Sequence, residues 1–76
     1  MSPHFPVMSG SEMIVLLRRA GFVQVSQKGS HVKMRHNDGR VAIVPNHKEL
    51  AQGTLRSIVL RQAGLSEEDF WRLIHQ

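Results

Sequence analysis

Seventy-six residues, 41% of them hydrophobic, make one globular domain and exclude a deep enclosed pocket, since a chain this short buries only roughly 60% of its unfolded surface. Lys and Arg number 10 against 6 Asp and Glu, a formal charge of +4 that favours a polyanionic partner. No cysteine is present, which excludes disulfide scaffolds and thiolate metal sites, and no apolar stretch approaches the ~20 residues of a membrane span.

Residues 1–8 hold two prolines and no periodic pattern, so they read as a disordered lead-in to a single domain over residues 9–76. They lack the basic start and apolar run of a signal peptide, and together with the absence of cysteine this points to the cytoplasm, with no membrane contact. Ser9 followed three residues later by Glu12 is a capping box. Met13, Leu16, Leu17 and Ala20 then fall at helical spacing, predicting a helix over 12–20 closed by Gly21.

Residues 22–27 alternate and are rich in β-formers, which predicts a first strand. Lys28-Gly29-Ser30 is the turn into a second strand over 31–36, Asn37-Asp38-Gly39 is a hairpin signal, and a third strand over 40–44 stops at Pro45. Residues 46–52 read as irregular or at most one helical turn. Thr54 is expected to cap a helix carrying Leu55, Ile58, Val59, Leu60 and Ala63, with Gly64 closing it. Ser66 and Asp69 resemble another capping pair, opening a last helix with Phe70, Leu73 and Ile74 as its apolar stripe and Trp71 at the margin. The order α-β-β-β-α-α defines an α+β fold, a three-stranded antiparallel sheet with helices on one face.

The chemistry concentrates in one run. Period-two alternation places His31, Lys33 and Arg35 on one strand face and turns Val32 and Met34 toward the core. An imidazole that titrates near neutral pH, between two fixed cations, suits work on a phosphodiester. The plainer alternative is an exposed polar residue on a solvated strand. Basic residues are dense around it: Lys28, Lys33, Arg35, Arg40 and Lys48 are opposed only by Asp38. His31 and His36 differ by an odd number and so face opposite sides of a strand, which argues against a zinc site with His47; no metal is expected.

Two stretches together resemble the HicA-type toxins, small bacterial mRNA interferases of toxin–antitoxin systems. One is Gly21-Phe22 followed by Gln27-Lys28-Gly29-Ser30-His31. The other is Val44-Pro45-Asn46-His47-Lys48-Glu49-Leu50, leading into Gly53-Thr54-Leu55-Arg56-Ser57-Ile58 and then Gln62-Ala63-Gly64-Leu65-Ser66. The resemblance implies a fold similar to the double-stranded-RNA-binding domain, endonucleolytic cleavage of mRNA, and neutralisation by a larger HicB-type antitoxin that covers the active site. The family's catalytic histidine, in its Gly-Ser-His element, falls on His31. Where many relatives carry a second histidine or an aromatic just after it, this chain has Val32 and Met34.

On that reading His31 is the expected catalytic group, acting as general acid or base without metal or other cofactor. Lys28, Lys33 and Arg35 are expected to hold the phosphate, with Gly29 and Ser30 donating to the same oxygens. His47 and Lys48 are candidate RNA contacts, His47 having the alternative role of capping its own loop. Arg56 and Arg61 could extend the phosphate track, although a solvated helix face suffices for Arg61. The competing function is a non-catalytic RNA-binding module using the same basic face; a third is a protein-interaction domain that docks an acidic partner.

Overall fold

The computed structural model describes residues 5–76. Helix α1 (Gly10–Arg19) precedes three strands, β1 (Val23–Lys28), β2 (His31–Arg35) and β3 (Val41–Pro45). Helix α2 (Gln52–Arg56) runs on into a π-helical stretch (Ser57–Gln62), and α3 (Glu67–Ile74) ends the fold. The strands pair antiparallel in the order β1-β2-β3, so the protein is an α+β meander with its helices packed on one side.

Local chemistry accounts for most of the boundaries. At the start of α1 the Ser9 hydroxyl accepts from the Glu12 N–H at 3.1 Å, while the Ser9 N–H donates to the Glu12 carboxylate at 2.9 Å. Ser66 and Asp69 repeat the exchange at α3, at 3.0 and 3.1 Å. Each box satisfies two amides that the helix leaves without partners, worth about 1 kcal/mol per cap. Lys28 pairs with His31, leaving Gly29 and Ser30 as a two-residue loop. Gly29 has φ +59° and, among the described residues, no non-glycine has a positive φ, the backbone pattern of a hairpin turn that needs glycine at its first central position.

The core forms where β2 and β3 meet the helices. Val32, Met34, Ala42 and Val44 point inward from the sheet, and Met13, Leu17, Leu55, Ile58 and Phe70 meet them, each no more than 1% exposed. Strand β1 is exposed along its whole length, on both faces, and its register slips between Gln24 and Ser26. The helical layer covers β2 and β3 but stops short of this edge strand.

Two expectations are corrected. Residues 5–8, expected as part of a disordered lead-in, belong to the packed structure: Phe5 is 3% exposed and Met8 7%. The Phe5 ring stacks on Phe70 with centroids 4.5 Å apart, the Arg56 guanidinium lies over the Phe5 ring at 5.2 Å from its centroid, and the Phe5 carbonyl accepts from the Gln52 side chain at 2.9 Å. A segment without regular secondary structure shows no periodicity, yet one aromatic ring suffices to anchor it. The part of that lead-in before Phe5 lies outside the described residues. Thr54 is not a helix cap either. Helix α2 starts at Gln52 behind Ala51, with no side-chain cap, so Thr54 sits within the helix.

Candidate functional site

Strand β2 alternates exposed and buried residues from end to end, and its exposed set is His31, Lys33 and Arg35. Antiparallel register supplies their neighbours. Lys28 stands opposite His31 on β1 and Pro45 opposite it on β3; Ser26 and Ile43 flank Lys33; Val23 and Val41 flank Arg35. Directly paired side chains share a face with Cβ atoms about 4.5–5.5 Å apart, so Lys28 joins the imidazole on the open face. Among the described residues no ion pair engages Lys28, Lys33, Arg35 or Lys48. Their positive field therefore projects into solvent without a local counter-charge.

The turn that presents His31 is held from behind. The Ser30 carbonyl accepts from the Asn46 N–H at 2.6 Å, and the Ser30 hydroxyl lies 3.4 Å from His47 Nε2. The loop that carries His47 is itself fastened to α1: the Gly10 N–H donates to the His47 carbonyl at 2.8 Å, and the Ser11 hydroxyl donates to the Asn46 side chain at 3.1 Å. Gly10 packs so closely that a Cβ there would stand 2.3 Å from the Pro45 carbonyl oxygen. The structure thus brings His47 to the Gly29-Ser30-His31 element, with exposed Lys48 following it in the same loop.

Other basic and aromatic candidates are drawn elsewhere. Arg40 is bound to Asp38 at 2.8 Å, lies 5.3 Å from the Phe22 ring centroid and donates to the Ala63 carbonyl. That contact holds the Asp38 carboxyl down at about 2, the Arg40 side chain being the main cause and the Arg40 amide the next. His36 accepts from the Asp38 N–H at 3.1 Å and meets the Phe22 ring edge-on. Arg56 pairs with Glu67 at 3.8 Å and covers Phe5, while Trp71 packs edge-on against Phe70. None of these belongs to the His31 face.

Sequence reasoning missed a groove that opens beside His31. Its sheet-side wall is His31, Ile43 and Pro45, and its helix-side wall is Gly53, Thr54 and Ser57. Gln62 also lines it, and its side-chain oxygen accepts from the Ile43 N–H at 2.8 Å on the outer edge of β3. The available signal is the second stretch that resembles the toxin family, which contains Gly53 and Thr54.

A three-stranded meander with helices on one face and unpaired cations on the other defines a small α+β protein with a basic, solvent-facing sheet. The family described as the HicA toxin of bacterial toxin–antitoxin systems matches it over residues 10–65, and the chain belongs to that family. The matched span takes in α1, the whole sheet, α2 and the π-helical stretch, hence the entire His31 face and the groove. A search of curated proteins finds no match. Membership implies an antitoxin as partner. Among the described residues no helix is long and apolar enough to cross a membrane.

Proposed function

We propose that the protein is a metal-independent endoribonuclease that cleaves mRNA in the cytoplasm, held in check by a HicB-type antitoxin that covers the His31 face. The observation that carries this reading is the placement of an exposed imidazole directly opposite Lys28, with Lys33 and Arg35 on the same face and, among the described residues, no carboxylate paired to any of the three cations. RNA brings its own nucleophile. The 2′-hydroxyl loses its proton as its oxygen attacks phosphorus, the bond to the 5′-oxygen breaks, and that oxygen takes up a proton. The products are a 2′,3′-cyclic phosphate and a 5′-hydroxyl, and no cofactor is needed to balance the step.

In this mechanism His31 carries the essential proton transfer. Lys28, Lys33 and Arg35 offset the charge that builds on the non-bridging oxygens, and Ser30 or the amide after Gly29 donates to the same group. His47 and Lys48 extend the contact along the strand. The substrate is a large polyanion, which an open sheet face admits and an enclosed pocket would exclude. An antitoxin with an acidic segment would meet the same unpaired cations and occlude the imidazole.

Incubating the purified chain and its His31→Ala variant with RNA, and following RNA length, tests the proposal. Removing one general acid–base group is expected to slow cleavage by ~10²–10⁴-fold. Cleavage by His31→Ala at the wild-type rate would sink the catalytic assignment. Tight binding by the wild type with RNA left intact would favour the non-catalytic RNA-binding module instead.

A further inference from the structure

We infer that the groove beside His31 seats one nucleobase of the RNA strand, adjacent to the phosphate under attack, and that Thr54 and Ser57 read that base. The inference rests on the ribonuclease reading and names the part of the substrate which the basic face does not hold. A nucleotide has an anionic end and a neutral one. The Lys28, Lys33 and Arg35 side of His31 suits the first, whereas the groove is lined by no Asp, Glu, Lys or Arg. It is matched to the second. Ile43, 39% exposed, and the Pro45 ring provide an apolar wall on the sheet side against which a base plane can lie.

The opposite wall supplies unclaimed polar groups. Among the described residues, neither the Thr54 nor the Ser57 hydroxyl has a hydrogen-bond partner. Hydroxyls within a helix commonly turn back onto a carbonyl of the preceding turn, and these two do not. Each can both donate and accept, which is what reading a base edge requires. Gly53, on the same wall, leaves open space beside it: a Cβ there would meet nothing within 4 Å. The groove opens to solvent, so a base enters it only once it has left a helical stack. That selects single-stranded RNA.

Hexaribonucleotides of A, C, G or U with 2′-O-methyl ribose are the suitable probe, because the blocked 2′-oxygen prevents cleavage and leaves binding to be measured on the wild-type chain. The expected result is an affinity difference of about tenfold between the best and worst base, the scale of one or two hydrogen bonds to a base edge. The Thr54→Val/Ser57→Ala double variant should compress that difference to within about twofold, while the salt dependence of binding, set by the phosphates, stays as in the wild type. Gly53→Leu, whose Cβ would meet no protein atom within 4 Å and whose side chain would occupy part of the groove, should weaken all four by about tenfold at unchanged melting temperature. Equal affinity for all four bases in the wild type, the same base preference in the double variant, or wild-type binding by Gly53→Leu would each overturn the inference. Intact RNA after incubation with the active chain would instead defeat the ribonuclease reading, and these binding measurements would still decide the groove.

Discussion

The Ser30 hydroxyl and His47 Nε2 stand 3.4 Å apart across 17 residues of sequence, joining the turn before β2 to the loop after β3. Because the backbone on each side of the pair is fixed by hydrogen bonds to Asn46 and Gly10, the two side chains meet without either loop being free to wander. His47→Ala should therefore leave the fold intact and weaken RNA binding by about 10–100-fold, the value of a hydrogen bond to a charged group. Affinity and melting temperature measured on one preparation check this. A fall in melting temperature with unchanged affinity would reduce His47 to a loop cap.

The open-face cations should report themselves through salt. Lys33→Ala or Arg35→Ala is expected to reduce the slope of log affinity against log salt by about 0.7 each, the release expected per phosphate contact on a single strand. Arg40→Ala should leave that slope unchanged, because its guanidinium is already committed to Asp38 and the Ala63 carbonyl. Titrations at several salt concentrations distinguish the two groups.

Phe5 closes the core from outside any regular element, stacked on Phe70 and covered by Arg56. Replacing a buried phenylalanine by alanine removes both its transfer energy and its packing, typically about 3–5 kcal/mol. Phe5→Ala, or deletion of residues 1–8, should lower the denaturation midpoint accordingly. An unchanged midpoint in urea would mean that this segment adds nothing to stability.

Gly10 tolerates no side chain. A methyl group 2.3 Å from the Pro45 oxygen must push α1 and the 45–47 loop apart, at a cost of about 1–3 kcal/mol for overpacking. Gly10→Ala should lower thermal stability and, by displacing His47 from Ser30, also reduce RNA affinity. Normal affinity alongside reduced stability would show that the loop can shift without disturbing the His31 face.

The acid limb of stability should involve Asp38. Its carboxyl titrates at about 2 when folded, against an ordinary 3.8, first because of the Arg40 side chain. A lowered folded-state value means that the ionised form is favoured in the native protein, so its contribution is complete above about pH 4 and disappears as pH falls toward 2. Asp69 is lowered as well, chiefly by the Ser66 amide, so it contributes in the same direction. Asp38→Asn should thus flatten, but not abolish, the decline in melting temperature between pH 4 and pH 2. An identical decline in the variant would remove Asp38 from the account.

The parts of the fold that depend on near neighbours were legible residue by residue. The capping boxes at Ser9 and Ser66 close within three residues, and both occur as expected. Gly29 opens a turn that its own backbone demands, and the alternation from His31 to Arg35 placed each side chain on its correct face. Thr54 misled because its capping chemistry is equally compatible with an interior position. In the structure α2 starts two residues earlier, at Gln52 behind Ala51, without a side-chain cap.

The sequence by itself determined the order of elements, the turn before β2, and the face on which His31, Lys33 and Arg35 stand, since backbone periodicity and caps act over a few residues. The tertiary structure decided which cations remain unpaired, that Phe5 belongs to the core, that His47 reaches Ser30, and that Thr54 and Ser57 line a groove with His31. Those relations join residues far apart in the chain. Their cause is the shared burial of β2, β3 and the helices around one small core, which no local pattern encodes.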